Sequence, residues 1–588
     1  MALSIPARHP ARGGAVSLLQ GSARQRGATI TRAGGRPAAT GQMTDTNIAP
    51  VRLFRPTLSQ LGLNLAVASY IMAALNTGFW QRLADILGDS PARMALFALA
   101  IFALTVLTLE FFGPGRLQKP VAAALILIAA AANHFEQSFG VLIDREMVRN
   151  VFETTVTESR HLVTPAAAGT IVLTGVLPAA LVFWPRIDRV SRWHHLWRWP
   201  LGVALSFAVL AGGLFADFKT FSAVLRERKE LMASYQPGAT IGALARYGKQ
   251  QFAAEAAVLH PVGPDARPGP HLAGAEKPVL LVLFVGETLR AQNFGLNGYA
   301  RDTTPELARR EVINFPDVGA CGTSTAVSLP CMFSPLAQAG YSRDRFLSQE
   351  NLLDVLARAG FAVRWVDNNT GDQKIATRTG WDRVDATLDP EACAVECTDR
   401  VFLPLIERTL DTITQDTVLV LHMIGNHGPA YFLRYPQDQA VFTPDCRTAE
   451  FAKCEVAGIV NAYDNAVLET DRVLARTIDM LAASDKADAA MVFLSDHGES
   501  LGEGGLYLHA APLFMAPETQ TRVPMVMWLG EGFRRTMGLD AACLGDKARA
   551  PASHDNLFHS ILGLLDVTTT ARDPALDLTD GCRIQRAS

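Results

Sequence analysis

Before residue 220 the chain holds five largely uncharged windows, approximately 57–80, 92–113, 119–142, 163–185 and 197–217. Each is about 20 residues long, the length at which a helix crosses the roughly 30 Å hydrocarbon core of a bilayer. A single window of this kind is ordinarily a buried core helix, but five in succession predict a transmembrane domain of five helices over 57–218. They also account for a mean hydropathy of +0.15 in a chain that is 49% hydrophobic. Arginine placement sets the orientation. The connection between the fourth and fifth windows carries Arg186, Arg189, Arg192 and Arg198 against Asp188, while Arg116 and Lys119 lie between the second and third, and Arg52 and Arg55 precede the first. Positive loops stay in the cytoplasm, so an odd number of spans places everything after about residue 218 outside it.

Cysteine usage gives the same answer independently. All eight cysteines, from Cys321 to Cys582, lie in the exterior half, as expected for disulfides formed in an oxidising compartment. Pairing of neighbours in chain order is expected. The net charge of -3, with no basic patch, gives no reason to expect nucleic acid as a partner. Residues 1–56 are expected to be a disordered cytoplasmic tail. Their first 42 residues carry six arginines and no acid, the composition of a transit peptide or of sequence ahead of a true start at Met43. Residues 219–276 are expected to bridge the halves. FKTFSAVLRERKELMASY reads as a surface-lying helix or a plain connector, and the Pro/Gly-rich HPVGPDARPGPHLAGAEKP as a flexible tether.

From 277 to 588 apolar runs alternate with amphipathic stretches such as NLLDVLARAG and NAVLETDRVLARTIDMLAA, which predicts βαβ units and a mostly parallel central sheet. Three of the runs lead into groups that bind metal or phosphate: PVLLVLFVGET into Glu287, TVLVLHMIGNHGP into Asn426-His427, and AAMVFLSDHGES into Asp496-His497. Ligand sites in open α/β sheets lie beyond the carboxyl ends of the strands, so these groups should converge. Glu287 reads as a metal ligand or as a cap for the next helix. Adjacent Asp496 and His497 offer oxygen and nitrogen donors of the type zinc accepts, and Gly498 would allow a close backbone approach. His509 follows in GLYLHA. The segment Cys321-Gly-Thr-Ser-Thr-Ala-Val-Ser-Leu-Pro-Cys331 reads as a turn entering a helix whose N-terminus favours anionic oxygen. Spacing does not choose a nucleophile among Thr323, Ser324, Thr325 and Ser328. AANHFEQSFG in the third window puts Asn133, His134, Glu136 and Gln137 near its outer end as candidates for a lipid headgroup.

The series GETLRAQNFGLNGYARDTTPEL, CGTSTAVSLPCMFS, DNNTGDQK, HMIGNHGP and SDHGESLGEGGLYLH resembles the phosphoethanolamine transferases of Gram-negative inner membranes, a branch of the alkaline phosphatase/sulfatase superfamily that includes lipid A-modifying enzymes linked to polymyxin resistance. The resemblance spans roughly residues 57–582. It implies five membrane helices joined to a sulfatase-like, alkaline phosphatase-like α/β domain in the periplasm. It implies Thr325 as nucleophile; Glu287, Thr325, Asp496 and His497 as ligands of one tight zinc site, with room for a second; and His427, His509, Asn369 and Lys374 as substrate-binding residues. DNNTGDQK has one residue more before its lysine than the usual pattern. The implied reaction moves phosphoethanolamine from phosphatidylethanolamine to lipid A through a phospho-threonine, releasing diacylglycerol, in a monomer. The alternatives are transfer to a core heptose or Kdo, a phosphoglycerol transferase, or a sulfatase-like hydrolase.

Overall fold

The computed structural model describes residues 54–153, 160–188, 192–255 and 258–584. The expected tail over 1–56 falls outside them up to residue 53, as do residues 154–159 of IDREMVRNVFETTVTES. The apolar windows are helical: α1 (Gln60–Ala74), α2 (Thr77–Leu87), α3 (Pro91–Phe112), α4 (Gln118–Phe139), α5 (Pro165–Leu181) and α6 (Arg192–Ala216). By length and composition three of the described helices suit a membrane crossing, or four if α1 and α2 count as one broken span. This falls short of the five expected. The fourth window yields only the shorter apolar helix α5, with a π-helical stretch at Val172–Val176.

The first window also departs from a straight span, because α1 and α2 meet at 72°. Asn76 causes the break. Its buried side chain donates to Ile71 O at 3.0 Å and Gln236 O at 2.9 Å and accepts from Gln236 N at 2.7 Å. These bonds satisfy polar groups that an apolar helix would otherwise leave without partners. Helix α2 is then held from α4. Arg82 pairs with buried Glu136, and Asn133 Oδ1 accepts from Thr77 N at 3.4 Å. Two of the four polar groups expected to meet a headgroup are thus spent on packing. In the amphipathic stretch after α6, α7 (Phe218–Glu227) buries Phe221 and Val224 in one cluster with Phe79, Leu83 and Phe97.

The second half is built on an eight-stranded mixed sheet. Its strands are β1 (Val279–Gly286), β2 (Ile313–Gly319), β3 (Ala362–Asp367), β4 (Trp381–Arg383), β5 (Thr417–His422), β6 (Asp488–Ser495), β7 (Arg522–Leu529) and β8 (Ala552–Ser553). They lie in the order β8-β2-β7-β6-β1-β5-β3-β4. Only β7 runs antiparallel to its neighbours β2 and β6. It follows β6 without the crossover helix that a parallel return requires. β1 lies at the centre, paired in parallel with β5 and β6 and buried along its whole length. Its residues feed two cores in alternation, Leu281, Leu283 and Val285 on one face and Leu280, Val282 and Phe284 on the other. This is why the run is continuously apolar rather than alternating.

The segment expected to be a flexible tether is instead fastened to this domain. Asp265 accepts from Thr569 Oγ1 and Thr570 N, both at 2.9 Å, and Arg267–Pro268 pairs with Val567–Thr568. The two halves also touch directly. Phe139, at the end of α4, packs edge-on against Phe451 at 6.3 Å, and Gln250 donates to Asp344 at 3.0 Å.

Candidate metal centre and transfer site

Glu287 follows β1, and Asp496 and His497 follow β6, so the parallel pairing of these central strands brings the three together. All three are fully buried. Helix α8 (Thr325–Met332) directs its first residue into the same place. Thr325 Oγ1 donates to Glu287 Oε2 at 3.1 Å and lies 3.3 Å from Oε1 and 3.4 Å from His497 Nε2. His497 Nε2 is 3.5 Å from Glu287 Oε1 and 3.3 Å from Asp496 Oδ2. The other nitrogen of His497, Nδ1, contacts Gly498 O at 2.9 Å. A carbonyl only accepts, so Nδ1 carries the proton and Nε2 turns a lone pair inward.

The cluster therefore holds two carboxylates, an imidazole lone pair and one hydroxyl, with too few protons to go round. Asp496 Oδ2 is buried without a hydrogen-bond partner. One ligand atom from each of Glu287, Asp496 and His497 lies within 4.8 Å of the others. An acceptor-rich pocket of this kind suits a cation such as zinc. Burial pushes the Asp496 carboxyl up to about 6, against the opposing effects of His422 and backbone N–H groups. Burial, with help from His509, holds His497 well below its ordinary value. At neutral pH both groups are thus in the deprotonated form that a metal requires.

The hydroxyl that sequence spacing left open is distinguished by geometry. Thr323 Oγ1 donates to Ala511 O at 2.7 Å, and Ser328 Oγ accepts from Gly322 N at 3.0 Å. Ser324 is the cap residue ahead of α8. Of the four, Thr325 is the one hydrogen-bonded within the acidic cluster. Cys321–Cys331 brackets the segment, and the other disulfides are Cys393–Cys397, Cys446–Cys454 and Cys543–Cys582, neighbours in chain order.

His509 and His427 extend the cluster outward. The His509 ring lies 4.5 Å from that of His497 and 6.0 Å from that of His427. His427 does not end a strand, because β5 stops at His422, five residues earlier. The sequence reading passed over His422 and its partner Asp367, the last residue of β3, although both obey the strand-end rule. His422 Nδ1 is 2.7 Å from Asp367 Oδ2 and its Nε2 is 4.0 Å from Glu287 Oε2. Asn369 stands beside Glu287 and also lines the cavity that holds His427. Its amide donates to Glu287 Oε2 at 2.7 Å and Met423 O at 2.9 Å. Lys374 is exposed, with φ at 70°, and does not line the cavity beside His427. Gly425 has φ at 47°, and a Cβ there would meet Glu287 O at 2.7 Å, so only glycine lets this loop close over the acid. Gly498 does allow a close backbone approach, but to Thr519 O, which a Cβ would meet at 2.0 Å.

A further chain of contacts ties His427 to the helical half. Arg434 donates to His427 O at 2.9 Å and to Glu396 Oε2 at 2.7 Å, and the other Glu396 oxygen meets His161. Burial pushes the Glu396 carboxyl up, but the bond from His161 and the charge of Arg434 outweigh it and take the group down to about 2. A depressed carboxyl stabilises the fold above its unfolded value and loses that contribution as pH falls through the folded one. Acid titration followed by thermal melting should therefore show the full contribution of this clamp at pH 5 and its progressive loss as pH falls toward about 2. Replacing Glu396 with Gln should remove that part of the pH dependence.

A sheet with reactive groups at these strand ends, and a hydroxyl at a helix start between them, defines a domain of the alkaline phosphatase/sulfatase type. Residues 280–567 match the Sulfatase family, and residues 101–252 match the family described as Phosphoethanolamine transferase EptA/EptB. The chain is 38% identical to phosphoethanolamine transferase EptA of Escherichia coli (strain K12), over 90% of this chain and 98% of that protein. It is 33% identical to phosphatidylethanolamine transferase Mcr-1 of Escherichia coli, over 88% and 96%. Among solved structures, the integral membrane protein lipooligosaccharide phosphoethanolamine transferase A (EptA) from Neisseria meningitidis superposes with a TM-score of 0.85 at 33% identity, covering 90% of this chain and 99% of that one. The chain belongs to the phosphoethanolamine transferase family.

Proposed function

We propose that this protein moves phosphoethanolamine from phosphatidylethanolamine to lipid A, with Thr325 as the group that carries it between them. The observation that carries this reading is the Thr325 hydroxyl at the first turn of α8, 3.1 Å from Glu287 and 3.4 Å from His497. In the first half-reaction a bond forms between Thr325 Oγ1 and the donor phosphorus as the bond to the glycerol oxygen breaks, and diacylglycerol leaves with a proton. In the second, an acceptor phosphate oxygen attacks the same phosphorus and Thr325 recovers its proton. His509 and His427 bind the phosphoryl oxygens and exchange these protons. Asn369 acts as a positioning residue for Glu287, and exposed Lys374 serves as a cation for the lipid phosphates. Glu287, Thr325, Asp496 and His497 would hold one zinc ion, with room for a second near the outer histidines. Zinc there would supply Lewis-acid polarisation of the hydroxyl and charge compensation.

We assign the five apolar windows over 57–218 to a multi-pass anchor in the bacterial inner membrane, counting α1–α2 and α5 as the two irregular spans. Residues 219–276 form the bridge and 277–588 the periplasmic catalytic domain of a monomer, with 1–56 as a cytoplasmic tail. Both lipid substrates are then presented at the membrane surface, which supplies proximity. Mass spectrometry of lipopolysaccharide from cells with and without the chain tests the function. Phosphoethanolamine on lipid A is expected; its appearance on core sugar only, or release of free ethanolamine phosphate, would replace the acceptor or the reaction class. Dialysis against a chelator should abolish transfer, and zinc should restore it where magnesium does not.

A further inference from the structure

At the end of the helical bundle remote from Thr325, α1, α3, α4 and α6 enclose a cavity of about 330 Å³. Its floor is polar and buried. Asn64, Glu110 and Gln118 are each at most 6% exposed. Asn64 Nδ2 donates to Glu110 Oε1 at 3.3 Å, and Gln118 Nε2 donates both to Asn64 Oδ1 at 2.9 Å and to Gln60 O at 2.6 Å. The amide donors are therefore committed. Gln118 Oε1 is buried behind the cavity without a partner, and Glu110 Oε2 points at Gly202 in the cavity wall, where a Cβ would come within 2.3 Å of it. Polar groups this deep in an apolar bundle are costly unless something satisfies them. A floor that offers only acceptors, one of them a carboxylate, calls for a cationic donor with several N–H groups. The rim supplies the complementary charge, the exposed guanidinium of Arg198 stacked on Trp197 at 5.6 Å.

The wall provides access from the side. Leu201 and Leu205 of α6 line the cavity and are 56% and 59% exposed on the apolar outer surface. An occupant could enter from the lipid phase. The position along the bundle is fixed by α4, whose first residue is Gln118 and whose last, Phe139, rests on the catalytic domain. Its 22 residues span about 33 Å at 1.5 Å per residue, one hydrocarbon thickness. Arg198 lines the cavity, and Arg116 and Lys119 adjoin its lining residues Gly115 and Gln118 in the chain.

The geometry points to a second lipid site in this protein, a pocket for the headgroup of phosphatidylethanolamine in the leaflet opposite the catalytic domain. The ammonium of the headgroup sits on Glu110 Oε2, which Asn64 and Gln118 hold from behind, its phosphate meets Arg198, and the acyl chains leave past Leu201 and Leu205. Being about 33 Å from the catalytic end, this lipid is not the donor. The leaflet assignment rests on the membrane topology proposed above.

Photo-crosslinking in cells tests it with the full chain. A photoreactive residue is placed at Leu201, in the cavity wall, and in a reference protein at Leu173, 66% exposed on α5 and outside the cavity. Phosphatidylethanolamine should be enriched over phosphatidylglycerol among the Leu201 adducts, relative to Leu173, on the order of tenfold, the effect of one charge-assisted hydrogen bond. Gln118→Met and Glu110→Gln, tested separately in case one fails to fold, should each reduce that enrichment. The same lipid mixture at both positions, or enrichment of phosphatidylglycerol, would overturn the site. Absence of phospholipid adducts at both positions would overturn the topology beneath it.

Discussion

Thr325→Ala is expected to reduce transfer by roughly 10³-fold or more while leaving the protein folded, because it removes the oxygen proposed to attack and little else. The side chain is nearly buried, and its recorded polar contacts are with Glu287 and His497, so the loss should appear in kcat rather than in melting temperature. Thr325→Ser keeps the oxygen and should retain measurable activity. Rapid quenching of the wild-type protein with phosphatidylethanolamine alone should give a phosphoethanolamine adduct on the peptide containing residue 325. Persistent turnover by the alanine variant would rule out Thr325 as carrier, whatever its neighbours do.

Asn369→Leu should be the next most damaging change, by a different route. The buried amide donates to Glu287 Oε2 at 2.7 Å and Met423 O at 2.9 Å. Removing it leaves two buried acceptors short of a donor, a cost of about 1–3 kcal/mol for each such group. If Glu287 is a metal ligand, its outer partner also sets its orientation, and loss of such a partner typically lowers metal affinity or activity about 10–100-fold. The variant should therefore bind less zinc and melt earlier. Were Asn369 a substrate contact instead, KM would rise with metal content unchanged. Zinc analysis alongside kinetics separates the two.

Much of this site was legible in the sequence because central strands are long, apolar and abruptly ended. The runs before Glu287 and Asp496 are buried on both faces, so the polar residue that stops each one is placed by the sheet itself. The same rule was available for His422 and Asp367. It was obscured because TVLVLHMIGNHGP stays apolar past its histidine, and because AVRWVD carries an exposed arginine that breaks the run. The choice of Thr325 among four hydroxyls depended on partners in other elements, Ala511 for Thr323 and Glu287 for Thr325, which spacing does not reveal. The bend between α1 and α2 was hidden for the same reason. Asn76 looks like one tolerable polar residue in an apolar window until Gln236, 160 residues later, is seen to bind it.

The seam between Arg267–Pro268 and Val567–Thr568 joins the entry and exit of the sheet domain along one edge. A chain closed in this way does not depend on its anchor for its tertiary contacts. Proteolytic scission just ahead of His260 should accordingly liberate a water-soluble fragment that keeps its fold, yet has lost the surface that delivers its two oily substrates.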